Sequence, residues 1–233
     1  MIDIHCHMLY GVDDGPKHIE ESVAMLKEAK NQGISAIVLT PHYRHGMFPY
    51  KKEDVDEHYE TLLPYAKKLE IGLYTGCEYH VNRDVCSAFS NGRVHSLADG
   101  RYILTEYSHV SEYSFLVQMT REVTMHGYIP VIAHVERYGC LVEDMERIEE
   151  LRNIGAMIQV NADAVLGMEG RSPKKFTRLL LEEGLVDVIA SDCHGIRQRV
   201  CHMKKCYDYV AKKFGEEYAE ELMQENPATI LAG

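Results

Sequence analysis

The feature that most constrains this chain is where its imidazoles and carboxylates fall. Short apolar runs alternate with longer amphipathic stretches, and nearly every short run ends in His, Asp or Glu. The short runs read as strands at Met1 to His5, Ala36 to Thr40, Leu73 to Cys77, Tyr102 to Tyr107, Ile129 to Ala133, Met157 to Val160 and Val186 to Ala190. Helical spacing of apolar residues predicts helices at Pro16 to Gln32, Tyr59 to Leu69, Phe115 to His126, Glu143 to Asn153, Pro173 to Glu183 and Cys201 to Phe214. Pro64 is expected to kink or delay the second of these. Gly33, Gly72, Gly127, Gly155 and Gly184 sit at handovers from helix to strand, as helix-terminating residues do. Alternation at this pace implies parallel pairing. Seven strands with intervening helices predict an α/β fold, a (β/α) barrel or a related distorted barrel, ahead of an open doubly wound sheet. No linker, repeat or low-complexity stretch divides the chain, so residues 1–233 are expected to form one domain.

The strand ends carry the chemistry. The first strand ends in His5 and His7, with Asp14 just beyond. The second leads to His42, the third to Glu78 and the fourth to Glu106. The fifth leads to His134, and the seventh to Asp192 and His194. In a parallel barrel all C-terminal strand ends open on one face, so residues far apart in sequence converge there. A single His or Glu at a strand end is most often a solvated loop residue or a satisfied core group. The same chemistry at six of seven strand ends is hard to obtain by accident. Burying such groups together without cations is also costly. Five imidazoles and four carboxylates, with no thiolate required, suit Mn, Fe or Zn rather than Ca or a structural cysteine-bound zinc. Three divalent ions in such a cage would outweigh the four carboxylates and a bridging hydroxide, making an anion-seeking pocket. Ions ~3.5–4 Å apart deprotonate a shared water near neutral pH and brace a phosphoryl group for in-line attack.

Composition narrows the setting. The 233 residues carry a net charge of −11, which argues against general nucleic-acid binding. The 7 cysteines are odd in number and lack CxxC pairs, as expected of a protein in the reducing cytoplasm. No apolar run is long enough to insert in a membrane. With Asp3, His5 and His7 in its opening residues, the start is not expected to be a secretory signal peptide.

Several motifs resemble a known family. His5-Cys6-His7 followed by Gly11-Val12-Asp13-Asp14-Gly15-Pro16 is similar to the opening of the PHP (polymerase and histidinol phosphatase) superfamily. It resembles more closely the bacterial PHP-type protein-tyrosine phosphatases of capsule and exopolysaccharide loci. Thr40-Pro41-His42, Gly76-Cys77-Glu78, Thr105-Glu106-Tyr107, His134-Val135-Glu136-Arg137-Tyr138, Ser191-Asp192-Cys193-His194 and Glu225-Asn226-Pro227 continue the resemblance in order along the chain. It implies a distorted (β/α)7 TIM-like barrel, the PHP fold, and a centre of two or three divalent ions, Mn foremost. One ion would be held by His5, His7, Glu78 and Asp192, a second by Glu78, Glu106 and His134, and a third by Asp14, His42 and His194, with Glu78 bridging. Arg137 and Arg199 would hold the phosphate, a task that suits the planar fork of arginine. The implied substrate is the phosphotyrosine-bearing tail of a bacterial tyrosine kinase, hydrolysed by a metal-bridging hydroxide with no phospho-enzyme. The chain departs from the family at Val135 and at Val200-Cys201, where proline is usual. The second departure makes Arg197 an alternative to Arg199.

Three other readings compete. Cysteine phosphatases use a C-x5-R spacing, present twice as Cys77 with Arg83 and Cys193 with Arg199. The intervening residues contain too little glycine for a phosphate-cradling loop, so both cysteines read as packing residues. Histidinol-phosphate phosphatase would share the metal centre and differ in the pocket walls. Tyr43, Tyr50, Tyr107, Tyr113 and Tyr138 could flank a phenyl ring there, although tyrosine is more often half-buried core. A non-catalytic PHP module would be marked by lost ligands, and none is lost here. The acidic stretch Glu53 to Glu60 reads as the solvated face of a helix.

Overall fold

A computed structural model describes residues 1–233. In chain order the elements are β1 (Ile2–Cys6), α1 (Ile19–Asn31), β2 (Ala36–Leu39), β3 (His42–Tyr43), α2 (Lys52–Lys68), β4 (Gly72–Thr75), β5 (Glu78–His80), α3 (Val85–Ser90), β6 (Tyr102–Glu106), α4 (Tyr113–Met125), β7 (Ile129–Ile132), α5 (Met145–Ile154), β8 (Met157–Asn161), α6 (Ala162–Leu166), α7 (Arg171–Glu182), β9 (Val188–Ala190), α8 (Met203–Phe214), α9 (Glu216–Glu220) and α10 (Asn226–Ala232). A π-helical stretch, Glu221–Glu225, joins the last two.

Every ladder is parallel, in the orders β1-β2-β4 and β3-β5-β6-β7-β8-β9. The two sets are one curled sheet. β3 continues β2 past Thr40-Pro41, and β5 continues β4 past Gly76-Cys77. Pro41 has no N–H to give to a ladder. Gly76 lies so close to Val38 that an added Cβ would come within 2.8 Å of its Cγ1. Both breaks are bridged, since Thr40 N donates to Cys6 O at 2.9 Å and Glu78 N to Pro41 O at 3.2 Å. The far edges meet as well. Asp192 N donates to His5 O at 2.8 Å, and His7 N donates to Cys193 O at 2.9 Å. The result is the expected distorted barrel of seven staves, two of them broken.

Inside the barrel, Ile4, Val38, Leu104, Val131, Val188 and Ala190 pack together, and Ile230 of α10 joins them from the N-terminal end of the strands. The side-chain period of two then lifts Glu106 above Leu104 and Asp192 above Ala190, so a polar layer follows the apolar one. β1 breaks this period, because its register shifts between Asp3 and Cys6.

Some boundaries differ from expectation. α2 starts at Lys52, and Pro64 lies within it. Val55, Leu62 and Ala66 are its buried stripe, whereas Glu60 and Pro64 are exposed, so the carbonyl that Pro64 cannot satisfy faces water. Gly72 does not terminate the helix: Glu70 takes the left-handed turn (φ 54°), and Gly72 opens β4. The short helices α3, α6, α9 and α10 have no counterpart in the sequence reading. No helix is long and apolar enough to cross a membrane.

Candidate metal centre

The nine strand-end residues meet at the C-terminal mouth. Glu78, at the start of β5 and fully buried, is the hub. Its Oε1 lies 2.8 Å from His134 Nε2 and 3.3 Å from His5 Nε2, and its Oε2 lies 3.2 Å from His7 Nε2 and 2.9 Å from His42 Nδ1. Asp192 Oδ1 is 3.4 Å from His5 Nε2 and 3.5 Å from His7 Nε2. Asp14 Oδ1 is 3.3 Å from His194 Nε2 and 3.6 Å from His42 Nε2. Among these nine residues, four groups have one donor atom from each member within 4.8 Å of the others: His7, Asp14, His42 and His194; His5, His134 and Asp192; His5, His7 and Glu78; and His42, Glu78 and Glu106. The first contains the third ligand set of the family resemblance. The grouping of Glu106 with His42, and of His134 with His5 and Asp192, differs from the implied allotment.

His7, His5 and His194 are held so that one nitrogen points inward. His7 Nδ1 lies 2.7 Å from Asp13 Oδ2, His5 Nδ1 3.0 Å from Gln159 Oε1, and His194 Nδ1 2.9 Å from Asp192 O. An Nδ1–H donated outward leaves the Nε2 lone pair for the cage, as metal-binding histidines require. Asp13 is fixed in turn by the backbone N–H groups of Gly15 (2.9 Å) and His42 (3.1 Å). Gly15 has no alternative there, because a Cβ would lie 2.2 Å from His7 O.

Several inward atoms have no hydrogen-bond partner: Glu78 Oε2, Glu106 Oε2, His42 Nδ1 and His194 Nε2. The short His42–Glu78 approach therefore lacks hydrogen-bonding alignment. Buried, unpaired donor atoms facing one space are what a cation site presents. Backbone strain gathers here too, since His134 (φ 34°), Asp192 (φ 51°) and Arg199 (φ 47°) all take the left-handed conformation.

The charges are unevenly held. Burial would raise the Glu78 carboxyl, but the imidazoles of His5 and His42 hold it well below the usual range. Burial likewise opposes ionisation of Asp192, and His5 and Arg137 overcome it. Glu106 goes the other way, pushed up to about 7 by burial and by the charge of Glu78. Burial and then His7 lower His194 to about 4. His7 itself is lowered by burial but raised on balance, through Asp13.

Arg137 and Arg199 both reach Asp192. Arg137 NH1 is 3.0 Å from Asp192 Oδ2, and Arg199 NH2 is 3.1 Å from it. Arg197 is exposed and lines the same mouth. Cys77 and Cys193 are each 1% exposed, and both thiols are held well above their ordinary range, Cys77 chiefly by burial and Cys193 with its neighbour Cys6 and burial outweighing Cys201. Tyr107 and Tyr138 turn into the core instead of lining a pocket. The sequence reading missed Asp13, Gln159, Asn161 and Glu169. For Gln159 and Asn161 a signal existed: the i, i+2 alternation of the sixth strand carries two amides to the same face as the other strand ends.

A seven-staved parallel barrel with a cage of imidazoles and carboxylates at its C-terminal mouth defines the class, the PHP and TIM-barrel-like metal hydrolases. An organophosphorus hydrolase from Deinococcus radiodurans shares this fold at 15% identity, with a TM-score of 0.64 over 100% of this chain and 92% of that one. The capsular polysaccharide synthesis family CpsB/CapC matches residues 1–232, and the chain belongs to that family. It is 37% identical to the tyrosine-protein phosphatase CpsB of Streptococcus pneumoniae over 99% of this chain and 98% of that protein. It superposes with a TM-score of 0.92, at 31% identity over 100% of this chain and 94% of the other, on one chain from the crystal structures of Bacillus subtilis YwqE and S. pneumoniae CpsB, described as unique metal-dependent tyrosine phosphatases.

Proposed function

We propose that this chain is a metal-dependent phosphatase that hydrolyses phosphotyrosine, the activity for which its relatives are named. The observation that carries the reading is the convergence of nine donor residues, several with unpaired buried atoms, beside two arginines. Two or three divalent ions fit this donor set, held by His5, His7, Asp14, His42, Glu78, Glu106, His134, Asp192 and His194, with Mn foremost. When bound, such ions supply Lewis acidity toward a phosphoryl group and lower the pKa of water. The chain itself does the rest. Arg137 and Arg199 bind the non-bridging phosphoryl oxygens and stabilise the charge that develops on them. Asp13 and Gln159 keep His7 and His5 oriented. The deeply buried thiols of Cys77 and Cys193 take no part.

The proposed substrate segment is the phosphotyrosine-bearing tail of a bacterial tyrosine kinase. A disordered tail offers its phosphate to an open mouth without unfolding anything. The 7 unpaired cysteines suit the cytoplasm, where such a tail would lie. Elemental analysis of the purified protein, paired with hydrolysis of phosphotyrosyl peptide and of histidinol phosphate with and without chelator, tests the reading. Chelator-sensitive turnover of the peptide is expected. A wide preference for histidinol phosphate would refute the substrate, and chelator-resistant turnover would refute the mechanism.

A further inference from the structure

The two arginines at the mouth are held very differently. Arg199 is 43% exposed, and its partners, Asp192 and Asp14, are both proposed metal ligands. Arg137 is anchored from behind by a carboxylate outside the cage. Glu169 Oε1 accepts from Arg137 NH2 at 2.9 Å, and Glu169 Oε2 accepts from Arg137 Nε at 3.3 Å. That pair occupies the Nε side of the guanidinium. The opposite edge, bearing NH1, turns to the metal centre, where NH1 meets Asp192. Asn161 Nδ2 donates to both acids, at 3.2 Å to Glu169 and 2.9 Å to Asp192, tying the anchor to the site. Glu169 lies between α6 and α7, flanked by Gly167 (φ 84°) and Gly170 (φ 113°), and its side chain is 22% exposed. The glycines bend the backbone so that an otherwise remote carboxylate reaches inward.

Resting on the proposed phosphatase reading, we infer that Glu169 is a positioning residue: it grips one edge of Arg137 so that the other edge is presented, already oriented, to the phosphoryl group. A free arginine would lose rotamer freedom each time it bound phosphate, whereas a guanidinium fixed by a two-bond carboxylate pair has already lost it. The same pair balances part of the arginine's charge, so the side chain stays in place between turnovers.

The test uses the metal-loaded enzyme, phosphotyrosyl peptide as substrate and inorganic phosphate as competing probe. Glu169→Gln keeps one acceptor and loses the charge, and Glu169→Ala loses both bonds. Expected are a fall of about tenfold in kcat/KM for Gln and a larger one for Ala, with the phosphate inhibition constant rising in step. Metal content per chain and melting temperature stay those of the parent. In an Arg137→Ala background, Glu169→Gln is expected to change kcat/KM by less than about twofold, because the residue it serves is gone. An undiminished effect in that background, or a loss of metal from either variant, would overturn the inference by showing that Glu169 acts elsewhere. Tighter phosphate binding in Glu169→Gln would overturn it as well, by making Glu169 a competitor of phosphate. If Arg137→Ala alone left phosphate inhibition untouched, the fault would lie with the role given to Arg137, and the inference would fall with it.

Discussion

Glu106 shows how much one carboxylate can oppose the fold that holds it. It is 8% exposed, one of its oxygens has no partner, and burial together with the charge of Glu78 raises it from the ordinary 4.5 to about 7. Between those pH values the folded chain keeps a proton that the unfolded chain has released. Stability of the metal-free protein therefore falls as pH rises through that window, and above about pH 7 ionised Glu106 works against folding in full. A shift of this size corresponds to about 3 kcal/mol at most. Glu106→Gln, which cannot ionise, is expected to stabilise the metal-free protein by about 1–3 kcal/mol at pH 8 and by less at pH 5.5. Urea unfolding in chelator at the two pH values measures this. Equal stability at pH 8 would mean that Glu106 is not held as described. Metal reverses the sign, since a cation favours the ionised form that the variant lacks. Activity distinguishes a second pair of residues. Cys193→Ser is expected to retain most turnover of phosphotyrosyl peptide, because a thiol buried to 1% exposure cannot reach phosphorus, whereas His5→Ala or Asp192→Ala removes it. A dead Cys193→Ser enzyme indifferent to chelator would restore the cysteine mechanism.

At the scale of elements, β8 carries more of the site than its sequence announced. Gln159 Oε1 lies 3.0 Å from His5 Nδ1 and accepts from His134 N at 3.0 Å, so one amide orients two proposed ligands. Gln159→Ala is expected to weaken metal binding by about 10- to 100-fold, read by titration against a competing chelator. Unchanged affinity would show that the barrel backbone alone sets the imidazoles. The nine strand-end donors were legible because His, Asp and Glu stand out where apolar runs stop. Gln159, Asn161 and Glu169 were not, because amides and a loop carboxylate are ordinary in sequence and acquire a role only through partners brought from elsewhere in the chain. The seven staves were legible for the same reason, but their breaks were not: Thr40-Pro41 and Gly76-Cys77 depend on contacts between neighbouring strands. α2 illustrates the limit of a local rule. Pro64 suggested a late start, yet seventeen residues of helix run through it, because the buried stripe of Val55, Leu62 and Ala66 outweighs one lost hydrogen bond on the wet side. Pro64→Ala is expected to restore that bond and stabilise the protein by about 1 kcal/mol with activity unchanged. A loss of stability would mean that the rigidity proline gives the unfolded chain matters more.

In the whole molecule, the two ends of the barrel divide stability from chemistry. The N-terminal end is closed by α10, whose Ile230 completes the inner apolar cluster and whose Asn226 Nδ2 donates to Asp187 O at 2.9 Å. The C-terminal end collects carboxylates in a chain already at −11, so removing cations from it adds like-charge repulsion to an acidic whole. Metal that binds only the folded state stabilises it by about 2.7 kcal/mol at a free concentration 100 times its Kd. For a chain of this length that raises the melting temperature by roughly 5–10 °C. Chelator at pH 8 is thus expected to lower the melting temperature by that order and to abolish turnover together. Ile230→Ala, which opens a cavity at the opposite end, is expected to cost about 2–4 kcal/mol while kcat/KM stays near that of the parent below its melting point. Thermal melts and turnover of both proteins, each with and without chelator, separate the cases: the chelator-induced drop in melting temperature should persist in full in Ile230→Ala and shrink in His5→Ala. If chelator left the parent's melting temperature unmoved while abolishing turnover, the ions would bind too weakly to stabilise the mouth. If His5→Ala kept the full drop, the stabilising metal would be held without His5, at the Asp14, His42 and His194 end of the mouth or elsewhere.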